Sequence, residues 1–290
     1  MSWWEALILG LVQGASEFLP ISSSGHLLLL EKLGVGEENL FFNILLHIGT
    51  LLAVLIVLRK QWLPLLRHPL QKKTLYLFVA CVPTIALAIA FKYLCPTLLS
   101  GSYLALGFMT TACLIVASEK LSSTKPQLNN IKTSILTGIS QGIAVLPGIS
   151  RSGATIATMR LLGIEKEEAT NFSFLLSIPI IIGSALFEGL SLLLKGTGLT
   201  ASAAMSTGVA DTANSIFAAS NTANAISTTA TTAFGIDVFP LILGVFAAFI
   251  SGLLAIKFFL KLIKNRSLLG FAIYDMLMAV ATLAVLGCQG

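Results

Sequence analysis

Gln13-Gly14-Ala15-Ser16-Glu17-Phe18-Leu19-Pro20-Ile21-Ser22-Ser23-Ser24-Gly25, followed by His26, has a partner 128 positions on, Gln141-Gly142-Ile143-Ala144-Val145-Leu146-Pro147-Gly148-Ile149-Ser150-Arg151-Ser152-Gly153. Six of the thirteen positions coincide without a gap: Gln, Gly, Ile, Ser, Ser and Gly. Each copy interrupts a hydrophobic run with Pro, Gly and small hydroxyls. They differ where chemistry can reside, because Ser23 faces Arg151 and Glu17 faces Val145. Duplicated, broken, polar segments at bilayer depth are where membrane proteins place binding sites.

The rest of the chain sets that pair in a membrane. Its 290 residues are 56% hydrophobic and 11% charged, with mean hydropathy +0.90. Soluble domains carry about 25% charged residues, so the composition excludes a soluble globular enzyme. Glu5 stands where a signal peptide would be basic, and the run after it suits a re-entrant segment better than a cleaved one. Six stretches have the roughly 17–25 apolar residues a span needs: about 41–58, 75–93, 103–118, 172–194, 238–260 and 268–288. The motif regions, about 4–30 and 132–162, each offer two short arms around the break, as a re-entrant hairpin would. A second echo, Phe42, Leu45, Leu46 and Ile48 against Phe172, Leu175, Leu176 and Ile178, supports a duplication.

The expected fold is therefore an all-α polytopic membrane protein forming one integral domain over 1–290. Repeat one runs over about 4–118 and repeat two over about 132–290, each a hairpin plus three transmembrane helices. Three spans are odd in number, so the second repeat enters from the opposite face and the repeat is inverted. The net charge of +5 needs no nucleic acid. Lys and Arg concentrate in 59–73, 120–132 and 261–266, which lie on the cytoplasmic side if both termini are external. Residues 195–237 break the pattern, with 25 Ala, Ser or Thr among 43, and read as a low-complexity external insertion. Cys81, Cys95, Cys113 and Cys288 are scattered and read as free thiols.

The two breaks together supply a constellation. Arg151, among Ser150, Ser152 and Thr155 on a turn opened by Pro147-Gly148, needs a permanent anion or an anionic ligand. A charge at a helix centre costs about 2.5–3.5 kcal/mol on insertion scales. Gly148 and Gly153 let backbone approach a ligand, and a helix starting near Ser152 points N–H groups at the break, which suits phosphate. Gln13 and Glu17, at i and i+4, share a helix face and with substrate phosphates can hold Mg²⁺ or Ca²⁺. Ser23 and His26 are three apart, so the imidazole can serve as base to the hydroxyl or protonate a leaving group. Plainer readings stand beside these. Ser22 and Ser24 can be close-packing residues, Gln13 and Gln141 helix–helix glue, and Glu17–Arg151 a structural ion pair. His47 and Asp275 read as structurally bonded, Lys92 and Glu188 as snorkelling near span ends, and Trp3, Trp4 and Trp62 as interface anchors.

Gln-Gly-x-x-Glu-Phe-Leu-Pro-x-Ser-Ser-x-Gly-His at 13–26, with Leu-Pro-Gly-x-Ser-Arg-Ser-Gly-x-Thr at 146–155, resembles the undecaprenyl-diphosphate phosphatases of the bacitracin-resistance type. The likeness extends over nearly all the chain outside 195–237. It implies a multi-pass hydrolase of the bacterial cytoplasmic (inner) membrane that converts undecaprenyl diphosphate to the monophosphate and inorganic phosphate, recycling the carrier for peptidoglycan synthesis. Its partners are then the polyprenyl diphosphate and the bilayer, and a homodimer is compatible with the reading. By the resemblance, Gln13 and Glu17 match a pair linked to the divalent ion and catalysis, Ser23 the proposed nucleophile, His26 the active-site histidine and Arg151 the diphosphate-binding arginine. Gly148, Ser150, Ser152, Gly153 and Thr155 surround that arginine. The site is expected to open to the external face. The rival is a lipid-phosphate flippase or transporter, which uses the same inverted repeats and broken helices.

Overall fold

Proline and serine decide where the first helices stop and start. The computed structural model describes residues 1–36, 39–122, 130–196 and 238–287, which are helical with no strand among them. Helix α1 (Trp3–Glu17) opens on a reciprocal cap in which the Ser2 amide donates to Glu5 at 2.6 Å and the Glu5 amide to Ser2 at 3.4 Å. It ends before Pro20, which has no N–H to continue the ladder. Helix α2 (Ser23–Lys32) starts after Ser22, whose hydroxyl accepts the Gly25 amide at 3.3 Å. Residues 59–67 form α4 (Arg59–Arg67), after α3 (Leu40–Val57), where the sequence reads only as a basic loop. Helices α5 (Lys72–Leu94) and α6 (Leu104–Leu121) complete the first half.

The second half also opens on a helical hairpin. Helices α7 (Ile131–Ile143) and α8 (Arg151–Leu161) form its hairpin, capped by Asn130 on the Thr133 amide and Ser150 on the Gly153 amide at 3.1 Å. The second arms of the two hairpins thus begin at aligned residues, Ser23 and Arg151. Helices α9 (Lys166–Gly196), α10 (Val238–Asn265) and α11 (Leu269–Gly287) follow. Helices α3, α5, α6, α9 and α10 are long and apolar enough to cross a membrane, and α11 is a shorter apolar helix. The expected insertion lies, beyond Gly196, outside the described residues.

Packing is reciprocal between the halves: α1 lies along α10 and α7 along α5, while α3 meets α9 and α6 meets α11. Glycines make the first two contacts close. A Cβ on Gly14 would collide with the Ser251 hydroxyl and the Ala248 carbonyl, and one on Gly138 with the Ala80 carbonyl. The echo residues Phe42, Leu46, Phe172 and Leu176 are all buried, and Phe18 meets Phe174 edge-on at 5.3 Å beneath the first turn. Trp3 and Trp4 are exposed as interface anchors are. Trp62 is not: its indole donates to the Leu55 carbonyl at 2.8 Å and its ring packs on the core.

Ala is the better helix former by up to about 1 kcal/mol, yet Gly14→Ala is expected to lower the melting temperature in detergent by several degrees. Overpacking costs roughly 1–3 kcal/mol. Gly183→Ala, where an added Cβ meets nothing within 4 Å, is expected to leave it unchanged or higher. Equal melting curves for the two variants would contradict the close contact.

Candidate functional site

Burying Glu17 requires that its charge be answered from nearby, and the tips of both hairpins do so. The Glu17 side chain is 1% exposed. One carboxylate oxygen, Oε1, pairs with the Arg151 guanidinium across the hairpins. The other, Oε2, accepts the Ser23 hydroxyl at 2.6 Å and the Gln13 amide Nε2 at 2.9 Å. His47 Nε2 stands 3.9 Å from Oε2. Short, charge-assisted bonds of this kind are the strong ones.

The hairpins are joined by more than this pair. Ser152 donates its hydroxyl to the Leu19 carbonyl at 2.9 Å, and the Ser150 amide donates to Thr111 at 2.9 Å. Gly148, at φ +90°, lies against the Leu104 carbonyl and Gly107, and Gly25 lies against Gly148. Only glycine accepts that φ without strain. Above the joint is a cavity of about 190 Å³ whose lining includes Glu17, Ser23, His47, Gln141, Arg151 and Ser184.

The structure therefore brings Gln13, Glu17, Ser23 and Arg151 together, with Ser150 at the cavity wall. The other expected site residues make contacts within the fold. Gly153 is taken by the Ser150 cap, and Thr155 bonds the Arg151 carbonyl at 2.9 Å and Ser173 at 2.6 Å. His26 is not beside Ser23 as its base. Its Nδ1 is 2.7 Å from the Ser22 carbonyl and its Nε2 2.6 Å from the Tyr274 hydroxyl. The group holding the Ser23 hydroxyl is Glu17 instead.

Two cavity residues escaped the reading of the sequence as site residues. His47, taken as structural, faces Glu17 while its Nδ1 binds the Asn43 carbonyl at 2.8 Å. Gln141 donates to Thr84 at 3.2 Å, leaving its buried Oε1 without a hydrogen-bond partner. A lone His in a span carries no signal, but Gln141 did, as the counterpart of Gln13. Asp275 departs from expectation the other way: it is fully buried, and neither carboxylate oxygen has a hydrogen-bond partner. Lys92 places its ammonium 4.3 Å over the Phe187 ring.

The family model described as bacitracin resistance protein BacA matches residues 6–281. A Carboxydothermus hydrogenoformans protein named undecaprenyl-diphosphatase is 36% identical over 294 residues, covering 100% of this chain and 99% of its own. A Bacteroides fragilis protein of the same name is 35% identical, covering 98% of each. One from Korarchaeum cryptofilum is 31% identical, covering 97% of this chain and 98% of its own.

Removing one member of a buried ion pair costs about 3–5 kcal/mol, because the other charge is left unanswered. Arg151→Ala is therefore expected to lower the thermal stability of detergent-purified protein severely. Adding Glu17→Gln to it should recover most of the loss, since no charge then remains to be answered. Melting curves of wild type, both single variants and the double variant check this, and simple additivity would contradict the pairing.

Proposed function

The chain belongs to the bacitracin resistance protein BacA family, and on that footing we propose that it hydrolyses undecaprenyl diphosphate to undecaprenyl phosphate and inorganic phosphate. One observation carries the chemistry: a serine hydroxyl 2.6 Å from a buried carboxylate whose other oxygen is paired to an arginine. On binding, the guanidinium of Arg151 turns its planar fork to the diphosphate oxygens. Glu17 Oε2 takes the proton as Ser23 Oγ attacks the terminal phosphorus. The new Oγ–P bond replaces the bond to the bridging oxygen, which leaves with the lipid monophosphate. Water then hydrolyses the phosphoserine, returning the hydroxyl and releasing phosphate. Positioning and charge neutralisation supply most of the catalysis, as phosphoryl transfer generally requires.

We infer that a divalent ion, Mg²⁺ or Ca²⁺, would be held at the same corner by Gln13 and Glu17. Gln13 Oε1 is buried without a hydrogen-bond partner, while the Nε2 of the same amide faces Glu17; with that amide turned over, its oxygen, the carboxylate and phosphate oxygens would form the kind of oxygen set such ions accept. When bound, the ion neutralises phosphate charge.

The surroundings complete the proposal. The aligned hairpins and reciprocal packing support two inverted repeats, and the family supports a bacterial inner membrane. The basic segments 59–73, 120–132 and 261–266 then lie inside, and the cavity opens to the external face. The lipid tail stays in the bilayer, so only the head group needs recognition. Every proposed site residue comes from one chain, so the reading holds for a single copy and for a homodimer alike.

Purified protein is expected to release inorganic phosphate from undecaprenyl diphosphate and to lose that activity in excess EDTA. Arg151→Lys, which keeps the charge but not the fork, should fall roughly a hundredfold, the scale of losing one oriented donor. Absence of phosphate release by wild type would overturn the function. Full activity in EDTA would remove the ion, and near-wild-type turnover of Arg151→Lys would remove the clamp.

A further inference from the structure

The turn that presents Ser23 is strained, and the strain sits in one residue. Ser22 has φ +63° and ψ +95°, and no other non-glycine residue has positive φ among the described residues. Such a conformation costs on the order of 1–3 kcal/mol and persists only where neighbours over-determine it. The matching residue of the other hairpin, Ser150, has an ordinary φ of −72°. The hairpin that carries the serine hydroxyl is thus the strained one.

What holds Ser22 in place lies behind the turn. Its carbonyl accepts the His26 backbone amide at 3.2 Å and His26 Nδ1 at 2.7 Å. A carbonyl can only accept, so Nδ1 carries a hydrogen. In the neutral ring Nε2 is then an acceptor, and the hydroxyl 2.6 Å from it is that of Tyr274, on α11. The two ring planes lie 7° apart, and Phe108 closes the imidazole edge-on at 5.4 Å. Both ring nitrogens are engaged, and neither engages Ser23. The second hairpin has Ala154 where the first has His26, and its unstrained cap needs no such brace.

We propose that Tyr274 is a positioning residue for the reaction: its hydroxyl fixes His26 in the Nδ1–H tautomer, His26 in turn braces the Ser22 carbonyl, and the braced turn seats Ser23 on Glu17. The proposal rests on the phosphatase reading above, and it gives His26 a role through Ser22 rather than on the substrate. The partner that orients a histidine by bonding its far nitrogen commonly sets the near one's tautomer. Loss of the brace affects how often Ser23 sits on the carboxylate, so it acts on turnover more than on binding.

Steady-state phosphate release from undecaprenyl diphosphate is measured for wild type, Tyr274→Phe, His26→Asn, His26→Ala and the double variant Tyr274→Phe/His26→Asn. Tyr274→Phe keeps the ring and loses one hydrogen bond, so kcat should fall about five- to tenfold with KM within about twofold. The His26→Asn side-chain amide still offers an N–H to the Ser22 carbonyl, so that variant should retain clearly more turnover than His26→Ala. In its background Tyr274→Phe should cost nothing further, because no tautomer is left to fix. Activity of Tyr274→Phe within twofold of wild type would overturn the proposal, as would His26→Asn no better than His26→Ala. If Tyr274→Phe does not yield folded protein, Tyr274→Met is measured in its place, and turnover within twofold of wild type would likewise overturn the proposal. An inactive wild type would refute the phosphatase reading, whereas an active wild type with an unaffected Tyr274→Phe would refute only this proposal.

Discussion

A carboxylate buried among apolar helices must have its charge answered, and the tips of two hairpins, with His47 of α3 nearby, answer that of Glu17. Desolvating such a group costs several kcal/mol even after relaxation. Arg151, Ser23 and Gln13 share that burden across two oxygens. The ion pair joins segments 134 residues apart in the chain, so the contact that relieves the carboxylate also assembles the site. In the proposed reaction an anionic head group at Arg151 would compete with Glu17 for the guanidinium, and as that pairing loosened the carboxylate would become a better acceptor for the Ser23 proton. Structure and chemistry thus draw on the same bond.

Close packing makes this meeting of tips possible. Gly14 and Gly138 bring each hairpin's first arm against a helix of the other half, and Gly25 and Gly148 let the breaks touch. Polar backbone at membrane depth is tolerated where protein covers it, and here the Leu19 carbonyl is covered by Ser152 and the Ser150 amide by Thr111. The two hairpins diverge at aligned positions: Glu17 against Val145, Ser23 against Arg151, His26 against Ala154. One hairpin holds acid, hydroxyl and brace, and the other holds the cation.

Much of this was legible in the chain. The Pro and Gly breaks located both hairpins, apolar runs overlapped the long apolar helices, and charges within apolar sequence marked Glu17 and Arg151. The orientation of His26 was not legible. Three-residue spacing places Ser23 and His26 on neighbouring faces of an ideal helix, but Ser23 is the first residue of α2 and follows a strained Ser22, which turns its hydroxyl back to Glu17. Tyr274 lies 248 residues from its partner, beyond any local pattern. The internal contacts of Gly153 and Thr155 were not legible for a related reason. Capping and i−4 bonds within α8 satisfy their groups before a ligand can. Helix α4 was missed because a basic segment reads as a loop until Trp62 is seen to anchor it.

The claim at the centre is that the Glu17 carboxylate activates the Ser23 hydroxyl for attack on phosphorus. The most direct measurement is turnover of undecaprenyl diphosphate by purified Ser23→Ala protein, with substrate binding measured on the same sample. Ser23→Ala is expected to give at most trace phosphate release with binding preserved, because the cavity and Arg151 are intact and only the attacking oxygen is gone. Turnover within a few-fold of wild type would contradict it and transfer the attack to a water molecule.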